Sequence, residues 1–536
     1  MLMRVTHRGL AGMAALATVA AGGLANPLVA PAAARSHSSS TVTAAISSDP
    51  TSLDPARGFD SISWSFIHAT FVSLLTFNAA RQIVPWGATT LPAVTAGDRV
   101  YTFHLRPGLR FSDGEPVTAR AYADAIQRIL NPATKSQLMA FYQIIAGATA
   151  YSGGRARRVS GIQVLGADTI RFTLTRADRT FSDIMAIPNA SAVPPKVIAK
   201  NSATFGLRPV GDGPYRVQSY IPGREITLVK NPTYFEAGQV ATRRIEITIG
   251  LAPETEALRV ENGQTDVMMD NIPTAVYLGV HHNRHFTTYL HHFISIEDNY
   301  VAFNMAKPPF TNKLVREAAA YAVNGQQVLR SISGMGTPLT QVLAPGMPGF
   351  DPSVKPLGYH PDRSRRLLAQ AGHPHGKGLA VLTFAVATGG FTAGANVAQV
   401  VQQDLEQVGF KVQLRVTAPG AFLSSLGRYP LTMGIYGIDY PDPYDLIASQ
   451  FTCSEIAAGN NWQYYCNRAV DRTLERSLAL PLATAIPVYR RLQAQIFAAY
   501  PWIPLYYQEL WYLVNPRLKG FGANPLWPMV FANWRT

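Results

Sequence analysis

Cysteine is nearly absent from this chain of 536 residues, in which only Cys453 and Cys466 occur. That excludes a small scaffold held together by many disulfides, and it excludes a cysteine-rich zinc module, which needs more thiolate ligands. Charge is also sparse, at 15% of residues, while 47% are hydrophobic. Such a composition belongs to a globular chain and excludes a disordered one. Beyond the N-terminal leader no apolar run reaches the roughly eighteen residues needed to span a bilayer. Several catalytic signatures are missing too. There is no serine in G-x-S-x-G, no Walker loop, no H-E-x-x-H, and no G-x-G-x-x-G following a strand. Paired glycosidase carboxylates need no local motif, but no nucleophile and base can be named, so an exported enzyme is the weaker of the rival classes.

What is present begins with a leader. Arg4, His7 and Arg8 precede the apolar run from Gly9 to Leu24, Pro27 and Pro31 break it, and Ala32-Ala33-Ala34 offers a small-residue cleavage site. This is the order of a secretory signal, and cleavage is expected close to Ala34; the same run left uncut would be a membrane anchor. No cysteine lies near the site for lipid attachment, so a periplasmic product that is not a lipoprotein is expected. In that oxidising compartment the isolated pair Cys453 and Cys466 is expected to be a disulfide, with two buried free thiols as the alternative. The formal net charge of +14 is scattered. Its densest run, Arg155-Ala-Arg-Arg158, lacks interleaved aromatics, which argues against a nucleic-acid partner.

At about 150 residues per domain the length predicts three or four domain-sized units. Val42, Ala44 and Ile46 share one face of a first strand. Tyr101, Phe103 and Leu105 alternate with polar residues, as do Ile170, Phe172 and Leu174. Thr118 is positioned to cap a helix running to about Leu130. Ile245, Ile247 and Ile249, a helix opened by Pro253 and closed by Gly263, and a short strand from Asp266 to Met269 form a β-α-β unit, which predicts an α/β sheet. A strand from Val381 to Val386, a helix from Asn396 to Val408 and a strand from Lys411 to Val416 repeat the theme. His281, His282, His285, His291 and His292 hold five of the twelve histidines. His281 and His285 would align on a helix, but no acid or cysteine joins them, and a strand from Phe286 to Phe293 would send His291 and His292 to opposite faces. No metal site is assigned to them.

Several separated segments occur in a characteristic order. They are Pro50-Thr-Ser-Leu-Asp-Pro55, Tyr101-Thr-Phe-His-Leu-Arg106, Gly108-Leu-Arg-Phe-Ser-Asp-Gly114, Gly211-Asp-Gly-Pro-Tyr215 and Lys230-Asn-Pro-Thr-Tyr-Phe235. Gly263-Gln-Thr-Asp-Val267, Phe303-Asn304, Pro308-Pro-Phe310, Val315-Arg-Glu-Ala318, Asp439-Tyr-Pro-Asp-Pro443 and Trp502-Ile-Pro-Leu505 complete the set. Together they resemble the peptide-type family 5 of extracytoplasmic solute-binding proteins, the oligopeptide, dipeptide and nickel receptors of ABC importers. The sequence departs from the family at Asn324, where an aspartate is usual, at Thr118-Ala-Arg-Ala121, which lacks an acid, and between Ile83 and Arg99, which lacks an Asp-Gly turn. Gly213-Pro214 and Leu53-Asp54-Pro55 read as turn formers with a folding role.

The resemblance implies an α/β, two-lobed periplasmic-binding-protein-like (type II) fold with an additional α/β domain inserted in the first lobe. The first lobe would take residues 42–80, 185–293 and 505–536, the inserted domain 81–184, and the second lobe 294–504, after a signal peptide at 1–34. It implies a monomeric receptor without cofactor, which captures a peptide or other small solute between closing lobes and delivers it to the permease subunits of an ABC importer. An oligosaccharide or metal chelate is the alternative solute, and a secreted enzyme or sensor that kept the fold is the alternative class. Asp439 matches the family position that receives a peptide's ammonium, and Tyr436 matches a pocket-lining aromatic. Phe59, Asp60 and Ser61 fall at a ligand-facing stretch of the first lobe. Gly389, Gly390 and Phe391 lie in a loop, Thr388 to Asn396, where relatives can carry a basic side chain. Here that loop has no Lys, Arg or His, and its glycines would let backbone amides approach an anion.

Overall fold

The computed structural model describes residues 41–388, 394–522, 524 and 526–536. The leader and the loop residues Gly389, Gly390 and Phe391 therefore lie outside the described residues. The first strand, Thr41–Ile46, lies second from one edge of a five-stranded sheet. It pairs in parallel with Arg244–Ile249 on one side and Val267–Met268 on the other. The helix Pro253–Glu261 connects those two neighbours, with Pro253 in its first turn and Glu254 and Glu256 beside its positive end. The β-α-β unit legible in the sequence thus encloses the first strand in space. Glu225–Lys230 and Tyr215–Ile221 extend the sheet by antiparallel pairing.

The alternating segments near Tyr101 and Ile170 are partners. Val100–His104 pairs antiparallel with Thr169–Thr173, setting Tyr101 opposite Phe172 and Phe103 opposite Ile170. All four of these residues are buried, as period-two burial on one face requires. Ala93–Thr95 and Ile162–Val164 complete this four-stranded sheet, which packs against the helix Ala119–Leu130. Thr118 occupies the cap position of that helix, but its hydroxyl makes no capping bond.

A six-stranded sheet is ordered Gly336–Pro338, Trp502–Leu513, Leu290–Phe303, Leu431–Gly437, Val381–Ala387 and Lys411–Thr417. Its two longest strands run antiparallel from Ala302 opposite Trp502 to Leu290 opposite Leu513. There the chain meets the five-stranded sheet: Val514 bridges Val267, and the Asn515 amide donates to the Asp266 carbonyl. The strand expected from Phe286 begins instead at Leu290, because the Asn283 side chain caps a single 3-10 turn over Arg284–Phe286. Asn324, one of the departures from the family pattern, caps the helix Gly325–Ser331 by accepting from the Gln326 and Gln327 amides, a role that Asn and Asp fill equally well. A disulfide joins Cys453 to Cys466 with Cα atoms 4.6 Å apart. Inside that loop the Asn461 amide group donates to the Thr452 and Tyr465 carbonyls.

The segment Gly211-Asp-Gly-Pro-Tyr215 does more than turn. The Gly213 amide donates to the Thr70 carbonyl at the end of the helix Ser61–Thr70, and the Asp212 carboxylate accepts from the Val72 amide at 2.9 Å. A Cβ on Gly211 would sit 1.9 Å from the Thr70 oxygen, which neither backbone can relieve. Gly211→Ala is therefore expected to lower stability by roughly 3 kcal/mol or more, read as a lowered denaturant midpoint. An unchanged midpoint would contradict this packing.

Candidate functional site

The strand Leu431–Gly437 runs into a short loop and then the helix Pro443–Phe451. Pro443 presets the first helical turn, and the Asp442 carboxylate caps it by accepting from the Tyr444 amide at 2.8 Å. Asp445 is buried in the same turn and accepts from the Asp439 amide at 2.7 Å. The Asp439 backbone is thereby pinned by a neighbouring carboxylate. Its own half-buried side chain has no hydrogen-bond donor and no cation among the described residues. Burial pushes the Asp439 carboxyl up to about 7. Asp445 is held well above the usual carboxylate range by burial, and secondarily by the charge of Asp439.

Tyr436 stands directly opposite Asp298 in the strand pairing, and Gly437 opposite Glu297. Asp298 is fully buried, with the Gln450 side chain set near its carboxyl and no cation beside it among the described residues. Burial pushes it well above the carboxylate range, with the adjacent Glu297 adding to the rise. Tyr436 is thus ringed by Asp298, Asp439 and Asp445, and none of these acids has a cationic partner among the described residues. Carboxylates removed from water without a counter-charge are costly, so the arrangement favours an arriving cation.

The second aspartate of Asp439-Tyr-Pro-Asp442 is already engaged. Arg179 makes a two-pronged ion pair with the Asp442 carboxylate and donates to the Tyr489 hydroxyl, while its backbone amide donates to the Leu478 carbonyl. The segment after the four-stranded sheet is thereby tied to the helix that follows Asp439. Of the two acids in this loop, Asp442 has a cation and Asp439 has none among the described residues.

The residues expected at the start of the chain separate. Phe59 joins the site through rings: it lies 6.1 Å from Phe141, which lies 6.3 Å from Tyr440. Asp60 instead caps the helix Ser61–Thr70, accepting from the Ser63 amide at 2.7 Å, from the Ser63 hydroxyl, and from Thr51. Ser61 is exposed on the first turn. Phe141, Tyr440, Asp298 and Asp445 did not stand out in the sequence. Only Asp445 carried a local signal, an acid in the first turn after an Asp-Pro helix start. The histidines disperse. The helix Thr274–His282 ends before His285, His292 stacks on Trp511 and pairs with Glu509 at 3.0 Å, and His291 packs on Phe521. Among the described residues no three His, Cys, Asp or Glu converge for a metal.

Two sheets joined by a crossing strand pair place a carboxylate without a cation, among the described residues, beside aromatics. The chain belongs to the bacterial extracellular solute-binding proteins, family 5, whose model matches residues 82–458. It is 26% identical over 534 residues to the glutathione-binding protein GsiB of Escherichia coli K12, covering 98% of each chain. Among solved structures, the clavulanic acid biosynthesis oligopeptide binding protein 2 superposes with a TM-score of 0.81 at 23% identity, over 89% of this chain and 92% of that one. Haemophilus influenzae OppA in complex with the peptide RPPGFSPFR gives 0.78 at 19% identity, over 92% and 98%. The fold is the two-lobed one of periplasmic peptide-binding proteins, and the relatives are binding proteins rather than enzymes.

Proposed function

We propose that this chain is the receptor of an ABC importer that captures short peptides, or solutes with a similar free amine, and delivers them to the permease. In this reading the leader is removed near Ala34, and the mature receptor works as a monomer outside the cytoplasmic membrane. The carrying observation is the Asp439 carboxyl: fixed through its backbone, half-buried beside Tyr436, and without a cation among the described residues. The peptide and glutathione binding named for the relatives supports the same class of solute.

Solutes retained by the purified protein, released and read by mass spectrometry, test this directly; a set of sugars or metal chelates without amines would overturn it. The protonation of Asp439 gives a second check. With a carboxyl pushed up to about 7, the free protein holds a proton there below neutrality, while an ammonium requires the ionised form. Affinity for trialanine is expected to fall as pH drops through about 7, approaching tenfold per unit. It should fall again once the peptide's own amine, near pH 8, loses its proton. Asp439→Asn should flatten the acid limb. Calorimetric affinities equal at pH 5 and pH 7.5 would contradict the ammonium anchor.

A further inference from the structure

The hairpin Leu75–Phe77 and Ile83–Pro85 turns through Asn78, whose side-chain oxygen accepts from the Ala80 and Gln82 amides. Arg81 at its tip takes a left-handed backbone, φ 64°, and leans over a cavity of about 450 Å³. Opposite stands Gly346, where a Cβ would lie 2.6 Å from the Arg81 Nη1. The guanidinium therefore rests against the backbone at Gly346. Ile296, Met347, Pro441 and Leu482 give the cavity apolar wall, and Arg179 and Asp442 close it.

The charges in this cavity do not balance. Arg179 is neutralised by Asp442. Asp183, also on the wall, is pushed well above the usual carboxylate range by burial and by the Asp442 charge. Arg81 has no carboxylate within ion-pair distance and no hydrogen-bond acceptor for its guanidinium among the described residues. A half-buried guanidinium facing an apolar-walled space is suited to a planar anion on an organic body, because its fork donates two parallel bonds to a carboxylate. Pro441 and Asp442 follow Asp439 by two and three residues, a chain reach of at most about 10 Å.

We propose that this cavity is an anion subsite in which Arg81 receives the carboxylate of the solute. The carboxylate's belonging to a solute held at Asp439 rests on the peptide-receptor reading; the anion subsite itself does not.

The test labels the whole protein with phenylglyoxal and follows modification of Arg81 by mass spectrometry, with Arg179 as internal control. Acetate and trialanine are expected to slow labelling of Arg81 by roughly fivefold relative to chloride at equal ionic strength, and trialanine amide to leave it unchanged. In calorimetry Arg81→Gln should weaken trialanine by about tenfold and leave the amide's affinity as it was. Protection by acetate without binding of trialanine upholds the subsite and removes the peptide reading. Labelling that is the same in acetate, phosphate and chloride overturns the subsite, and protection by phosphate alone overturns the carboxylate assignment.

Discussion

Asp439→Ala is expected to weaken binding of trialanine by at least about tenfold, 1.4 kcal/mol, without lowering the unfolding midpoint. The carboxylate meets no cation among the described residues, while the loop around it is held by other groups: Asp445 accepts from the Asp439 amide, and Asp442 caps the next helix. Removing the Asp439 side chain leaves both bonds in place, so the loss falls on binding and not on the fold. Asp439→Asn, which keeps the shape and removes the charge, should match it, and acetylating the peptide's amine should cost the wild-type protein a similar amount. Asp442→Ala sets the contrast. It strands Arg179, whose side chain is 13% exposed, and should lower stability as well as affinity. Affinity that survives both Asp439→Ala and amine acetylation would remove the ammonium from this site.

Asp54→Ala is expected to destabilise the protein by about 3–5 kcal/mol, the usual result of leaving a buried charge without its partner. Asp54 is 1% exposed, and its two carboxylate oxygens receive the Arg128 guanidinium at 2.6 and 2.5 Å. The same carboxylate accepts from the Ala56 amide, so the pair fixes the turn at Pro55 onto the helix Ala119–Leu130. Asp54→Leu combined with Arg128→Met should recover most of the loss, because an apolar pair of similar volume carries no desolvation penalty. Urea unfolding of the three variants measures this. A single-variant loss below about 1 kcal/mol would place the pair among solvent-screened contacts.

Much of the architecture was legible residue by residue. Alternation at Tyr101 and Phe103 and at Ile170 and Phe172 marked two half-buried strands, and Ile245 to Met269 marked a parallel crossover, because burial on one face leaves a local period in the sequence. The ordered motifs from Pro50 to Leu505 identified the family, and with it the position of Asp439. No local period says which strands pair, however. That Thr41–Ile46 lies between the two ends of the β-α-β unit, or that Tyr101 faces Phe172, came only with the fold.

The site divides along the same line. Sequence alone determined that aspartates stand at 54, 60, 439 and 442, that Asp54 lies in a turn-forming segment, and that Asp60 and Asp439 fall at positions the family resemblance assigns to the ligand. Only the tertiary structure decided what each one does. Asp60 is consumed by Ser63 and Thr51 close by, and Asp54 by Arg128 from 74 residues away. Asp442 is consumed by Arg179, 263 residues earlier, and Asp439 is left without a cation among the described residues. The physical reason is that an ion pair is settled by which chain segments cross in space. A carboxylate is free for a solute only when every cation brought near it by the fold has been claimed by another.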